Sequence, residues 1–257
     1  GSFLSRPEEQ SGQRADTEQG LRLSGSVRSP EILRIRWSAA ERAGEDKKLL
    51  RIGRRTMSRR LVCYGDSNTY GYDPQSRLGR RYPPQVRWTD RLTVLRPDRE
   101  VINLGENGRE IPRRPWELQR LEEALKHAAP VDGVILMLGG NDLLQMASPL
   151  AGAAAERMRA LLSWMSMRRG QWGGKTQLLL TAPPPMRRGA WVAEESLVEA
   201  SRALGEQYRM LARELEIPFA DGGEWGVELA FDGVHFTQRG HQAFAQRMDE
   251  TLRRLDL

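Results

Sequence analysis

A single cysteine, Cys63, stands among 257 residues, so no disulfide can close within the chain and no cysteine-rich metal site can form. Histidine is nearly as scarce, at three: His127, His235 and His241. No uninterrupted apolar stretch approaches the roughly 20 residues that cross a bilayer. The longest apolar strings, such as 134–138 and 178–180, have only strand length. Nor does any basic segment lead into the apolar core of roughly 7–15 residues that a secretory signal needs. With 39% apolar residues and a mean hydropathy of −0.60, the chain is expected to be soluble and without a membrane partner. A reducing cytoplasm is the simplest setting for it.

Positive charge is present but confined. Residues 1–60 hold 14 basic and 8 acidic residues, the whole of the +6 net charge, and residues 61–257 hold 26 of each. The larger part therefore offers no general electrostatic reason to bind phosphate backbones, and no nucleic-acid partner is expected. The leader is polar and aperiodic, with one apolar patch at 32–37. Gly1-Ser2 resembles a cloning remnant, and Met57, just before an apolar run, resembles a native start. Residues 1–56 are accordingly expected to be a polar, basic extension without order of its own, and 57–257 the domain. A basic arm that recruits nucleic acid is the rival reading.

From Arg60 onward short apolar runs alternate with amphipathic stretches, the mark of a mostly parallel sheet covered by helices. Strands are expected at 61–64, 101–104, 133–138, 177–181 and 218–220. Helices are expected at 86–95, 116–127, 150–167, 194–215 and 238–255. The last keeps Ala243, Phe244, Met248, Leu252 and Leu255 near one face. Such an open sheet binds ligands at the carboxyl ends of its strands. Four polar, glycine-bearing segments fall on that edge. They are Gly65-Asp66-Ser67-Asn68, Gly105-Glu106-Asn107-Gly108-Arg109, Gly139-Gly140-Asn141-Asp142 and Asp232-Gly233-Val234-His235.

Each segment has a bland reading and a chemical one. Ser67 after Gly-Asp is an ordinary helix cap or turn residue, or it is a nucleophile in search of a base. The run lacks the second glycine of the Gly-x-Ser-x-Gly elbow, which disfavours the α/β-hydrolase fold. Of the histidines, His127 and His241 lie on expected helices, and only His235 sits in a loop, three residues after Asp232. That spacing lets the carboxylate take one ring nitrogen and leaves the other for a serine hydroxyl. Alternatively Asp232 makes a turn and His235 caps the last helix. A metal site would need a further histidine or cysteine nearby, and none is placed there. Glycines and Asn141 at the other strand ends are turn formers, or donors for an oxyanion.

Taken together, GDSNTYG at 65–71, NLGENGRE at 103–110, GGND at 139–142 and DGVH at 232–235 resemble the four sequence blocks of the SGNH (GDSL-type) hydrolase superfamily. The likeness covers residues 59–255. It implies a flavodoxin-like three-layer α/β/α sandwich with a five-stranded, mostly parallel sheet. It implies Ser67 as nucleophile, His235 as base and Asp232 as its orienter. It also implies an oxyanion hole from the Ser67 N–H, the Gly108 N–H and the Asn141 side chain, with Gly108 preferred to Gly105. No metal or organic cofactor is called for. Asn68 replaces the leucine of the family name, and GDSNTYGYDP with RYPPQVRWT at 81–89 resembles the arylesterase and acyltransferase-like branch.

The expected reaction is hydrolysis or transfer of short-chain acyl or aryl esters through an acyl-serine. A carbohydrate O-acetyl esterase is the nearest alternative, and an inactive binding protein of the same fold a more distant one. Asn68, Trp88 and Trp191 are candidate substrate contacts, with Trp225 a weaker one, although tryptophans more often serve the core. The proline-stiffened segment 182–191 is expected to act as a lid or as a contact in a homo-oligomer. Arg187 and Arg188 either draw an acidic substrate or are simply solvated.

Overall fold

A computed structural model describes residues 59–76 and 78–257; the expectations for the leader lie outside these residues. Five strands form one sheet: β1 Arg59–Gly65, β2 Arg99–Gly105, β3 Gly133–Met137, β4 Gln177–Ala182 and β5 Phe219–Asp221. Their order is β2-β1-β3-β4-β5, and every pairing is parallel. The sheet expected to be mostly parallel is thus wholly so.

β1 is apolar from Leu61 to Tyr64 because both its faces are covered there. Val62 and Tyr64 join a core with Leu121 and Leu125 from α3 (Pro115–Ala128), Met158 and Leu162 from α5 (Ala151–Arg168), and Leu204 and Tyr208 from α6 (Glu195–Glu214). Leu61 and Cys63 point to the opposite face. There they meet Trp88 and Leu92 from α2 (Trp88–Leu95), and Phe244, Met248 and Leu252 from α7 (Gln238–Arg254). Alternation within one strand therefore feeds two cores, which is what makes three layers. Cys63 is fully buried, and that burial drives its thiol far above the ordinary range. Among the described residues no helix is long and apolar enough to cross a membrane.

Two short helices fall where only polar turns are expected. α1 (Ser67–Tyr70) and α4 (Gly140–Gln145) follow β1 and β3 directly. They are too short to show a helical period, and local chemistry holds them instead. Asp66 caps α1, its carboxylate accepting from the Asn68 N–H at 2.9 Å, and Gly71 at φ +90° ends it. α4 is capped by Gly139, whose φ of +115° favours glycine. A Cβ there would also lie 2.5 Å from the Tyr208 hydroxyl, which donates to the Leu138 carbonyl at 3.1 Å.

β1 and β3 are neighbours, and the chain leaves them toward opposite edges of the sheet. Their carboxyl ends form the topological switch point where such sheets bind ligands. α1 and α4 both begin there.

Candidate active site

Ser67 is delivered by the tight junction of β1 and α1. A Cβ at Gly65 would lie 2.1 Å from the Thr69 hydroxyl oxygen and 2.9 Å from the Met137 carbonyl, so only glycine fits beneath the first turn. Across β1, Gly105 at the end of β2 does the same work. A Cβ on it would come within 2.1 Å of the Tyr70 nitrogen. Asn103 ties the two together, its amide donating to the Thr69 carbonyl and to the Thr89 hydroxyl, each at 2.8 Å.

His235 approaches from the turn before α7. Its Nε2 lies 2.9 Å from Ser67 Oγ, and its Nδ1 lies 2.7 Å from Asp232 Oδ2. The other carboxylate oxygen, Oδ1, accepts from the backbone N–H groups of Val234 (2.9 Å) and His235 (3.0 Å). Burial pushes the Asp232 carboxyl up, but the bonds from His235 and these N–H groups outweigh it and hold the pKa below the usual range. Asp232 therefore stays ionised at neutral pH and fixes the ring with Nε2 toward the serine. Serine, histidine and aspartate, 168 and three residues apart in sequence, form one chain of hydrogen bonds. Next to it burial pushes the Asp66 carboxyl up to about 6, against the lowering effect of the Asn68 N–H.

The loop that carries His235 is braced from two sides. The Asn68 amide donates to the Val234 carbonyl at 3.1 Å, and its oxygen accepts from the Phe236 N–H at 2.9 Å. It thus grips the residues on either side of His235. The segment after β4 supplies the second brace: Arg187 N–H donates to Gly233 O (3.0 Å) and Trp191 N–H to Asp232 O (3.0 Å). The Arg187 guanidinium donates to the carbonyls of Leu229 and Ala230 at 2.6 and 2.9 Å. Gly233, at φ +85°, sits where a Cβ would strike the Arg187 carbonyl at 2.0 Å.

A cleft of about 450 Å3 opens over Ser67 and His235, lined also by Tyr72, Asn107, Gly108, Asn141, Leu144, Gln145 and Trp191. Tyr72 and Trp191 flank the imidazole, with ring centroids 4.6 and 4.8 Å from it. Gly108 turns at φ +72° with open space beside its Cα. Its N–H and that of Ser67 have no hydrogen-bond partner among the described residues. Asn141 Nδ2 spends one hydrogen on the Arg109 carbonyl at 3.1 Å, leaving the second. Asp142 joins the same two loops: its carboxylate accepts from the Ile111 N–H (2.9 Å) and from Arg157 (2.8 Å). Arg109 anchors the β2 loop to the sheet by donating to the Gly65 carbonyl at 2.8 Å.

Several expectations change. Trp88 does not line the cleft: it is 1% exposed, packs on Phe244 at 4.9 Å, and donates from its indole to the Asn68 carbonyl. Trp225 likewise packs on Phe244, away from the site. Asn68 is 7% exposed with both ends of its amide committed to the His235 loop, so neither end is free for substrate. Arg187 is a brace and not a free cation for an acidic substrate, and the 182–191 segment carries it. Trp191 does line the cleft. Gly108 lines it too, whereas Gly105 serves the packing of α1. Tyr72, Asn107, Leu144 and Gln145 were not foreseen, and Tyr72 was visible only as the second tyrosine of GDSNTYGYDP. Among the described residues no three His, Cys, Asp or Glu side chains gather as a metal site requires.

The sequence profile of the GDSL-like lipase/acylhydrolase family matches residues 63–243, which contain all four segments of the site. No curated protein matches the chain by sequence. Solved structures do. The inhibitor-bound aryl esterase of M. smegmatis superposes with a TM-score of 0.68 at 28% identity, over 77% of this chain and 99% of that one. A carbohydrate acetylesterase family member from Sinorhizobium meliloti gives 0.67 at 29%, over 77% and 98%.

Proposed function

The chain belongs to the GDSL-like lipase/acylhydrolase family, and on that premise we propose that it is a serine esterase acting on short-chain acyl or aryl esters through an acyl-serine. One observation carries this reading: the unbroken contact from Asp232 through His235 to Ser67, with steps of 2.7 and 2.9 Å, at the mouth of the cleft. The aryl esterase and carbohydrate acetylesterase neighbours support the same class of chemistry.

In the proposed reaction Ser67 Oγ attacks the ester carbonyl carbon while its proton passes to His235 Nε2. The Asp232 carboxylate stabilises the imidazolium that results. Negative charge collects on the former carbonyl oxygen, where the Ser67 N–H, the Gly108 N–H and the second Asn141 hydrogen are the donors; one such donor is worth about 3 kcal/mol in the transition state. The tetrahedral adduct collapses, the C–O bond to the alcohol breaks, and the departing oxygen takes the proton from His235. Water, or a second alcohol, then attacks the acyl-serine with His235 again as base, restoring the Ser67 hydroxyl. The cleft of about 450 Å3 suits a small ligand, and Tyr72 and Trp191 offer apolar walls to an aryl or acyl group.

Replacing Ser67 by alanine is expected to abolish turnover of p-nitrophenyl acetate in a continuous absorbance assay. Undiminished activity in that variant would remove Ser67 from the reaction.

A further inference from the structure

Beyond Asn107 and Gly108 the surface dips again, into a recess of about 190 Å3. Both residues line the recess and the cleft alike, so a substrate with its ester at Ser67 can extend across them. The rest of its wall includes Glu106, Arg109, Trp116, Glu117 and Arg120, together with Tyr64.

The chemistry of this lining is mixed. Trp116, on the first turn of α3, remains 52% exposed, although burying a large apolar side chain is worth roughly 1.5–3 kcal/mol. Glu106 stands between two guanidinium groups, 2.7 Å from Arg109 and 3.0 Å from Arg120. The Asn107 side chain is exposed and makes no hydrogen bond among the described residues. An indole, three carboxylates, two guanidinium groups and a carboxamide thus surround a space about the size of one small ring.

Three occupants can be weighed against that set. An acyl chain would strip water from Glu106 and Arg120 with nothing in return. An anionic group would meet Arg109 and Arg120 but also Glu106 and Glu117, which line the same recess. A pyranose ring satisfies both halves of the lining. Its C–H face lies against the indole, and its hydroxyls, each donor and acceptor at once, pair with carboxylate, guanidinium and amide.

We propose that this recess is a subsite for a sugar ring carried by the ester substrate, so that acylated carbohydrates are turned over better than simple aryl esters. The proposal rests on the serine esterase reading and adds Trp116, Asn107 and Arg120 as residues that select the substrate. The chemistry at Ser67 is as above: the ester C–O bond breaks, water supplies the new acid, and the sugar hydroxyl leaves with the proton from His235.

The test uses the full chain and two acetyl donors, p-nitrophenyl acetate and partly acetylated xylo-oligosaccharides, with acetate release as the readout. Trp116→Ala is expected to lower the ratio of the two kcat/KM values, oligosaccharide over aryl ester, about tenfold, or about 1.4 kcal/mol. The fall should come through the KM of the oligosaccharide and not its kcat. Arg120→Ala, on a side chain 61% exposed, should move the ratio in the same direction and guards against misfolding of the first variant. A ratio unchanged in both variants overturns the subsite. So does a wild type that hydrolyses p-nitrophenyl acetate and releases no acetate from the oligosaccharides. A wild type inactive on both donors overturns the esterase reading together with the subsite.

Discussion

Asn68→Leu separates positioning from substrate contact. The amide of Asn68 holds the Val234 carbonyl at 3.1 Å and the Phe236 N–H at 2.9 Å, and leucine, of similar size, holds neither. One buried and one part-buried backbone group are then left unpaired, at about 1–3 kcal/mol each. Taking about 3 kcal/mol for the pair, Tm should fall by about 6–12 °C for a domain of this size. The larger effect should be on rate. His235 sits between the two gripped residues, and its 2.9 Å contact with Ser67 Oγ depends on that grip. A reacting group displaced by about 1 Å can cost about 100-fold, so kcat for p-nitrophenyl acetate should fall by about 10- to 100-fold. KM should stay within about threefold, because Asn68 does not line the cleft over Ser67. The assay is steady-state kinetics well below the variant's own Tm, beside thermal melts of both proteins. A lowered Tm with wild-type kcat would refute the positioning argument. A raised KM with unchanged kcat would return Asn68 to the substrate pocket.

Three further predictions concern stability. Burial, aided by the charges of Arg91 and Arg87, depresses the His241 pKa to about 3, so the folded protein holds this ring neutral while the unfolded chain protonates it near 6.5. The stability it contributes is therefore complete above about pH 6.5 and declines by about 1.4 kcal/mol per unit as pH falls toward 3. Denaturation midpoints of His241→Gln should accordingly change less between pH 7.5 and 5.0 than those of the wild type, by about 2 kcal/mol; parallel pH profiles would contradict this. Gly105→Ala should cost about 3 kcal/mol or more in urea melts, since its methyl would meet unyielding backbone of α1. Gly108→Ala, with open space but a φ of +72°, should cost only about 1–2 kcal/mol; equal losses would show that neither reading of the glycines holds.

How much of this was legible before the fold was known depended on the kind of signal. β1, β3 and β4 were visible because parallel strands covered on both faces must be apolar throughout, and α7 because its buried residues recur at helical spacing. That Ser67, Asn141, Asp232 and His235 share one edge was expected because each segment follows a strand of a mostly parallel sheet. The unread part lay in contacts that no period encodes. Trp88 stands in the first turn of the helix expected at 86–95, and its place beside a proline-rich loop suggested the cleft, yet α2 turns it into the core against Phe244. Asn68 and Arg187 are polar residues in segments that follow strand ends, which suggests substrate, but both are consumed by carbonyl and N–H groups of the His235 loop. Such pairings depend on where residues some 40 to 170 positions apart come to rest. Tyr72 belongs with them: only the left-handed turn at Gly71 sets it beside His235.

The nucleophilic role of Ser67 is tested most directly by covalent capture. Wild-type protein and Ser67→Ala, each verified as folded, are incubated with a fluorophosphonate, and intact mass and peptide mapping then locate the adduct. A single adduct on the peptide containing Ser67, absent from the alanine variant, is the expected result. Folded wild type that takes no label, or an alanine variant labelled as readily, would contradict the assignment of Ser67 as the activated serine.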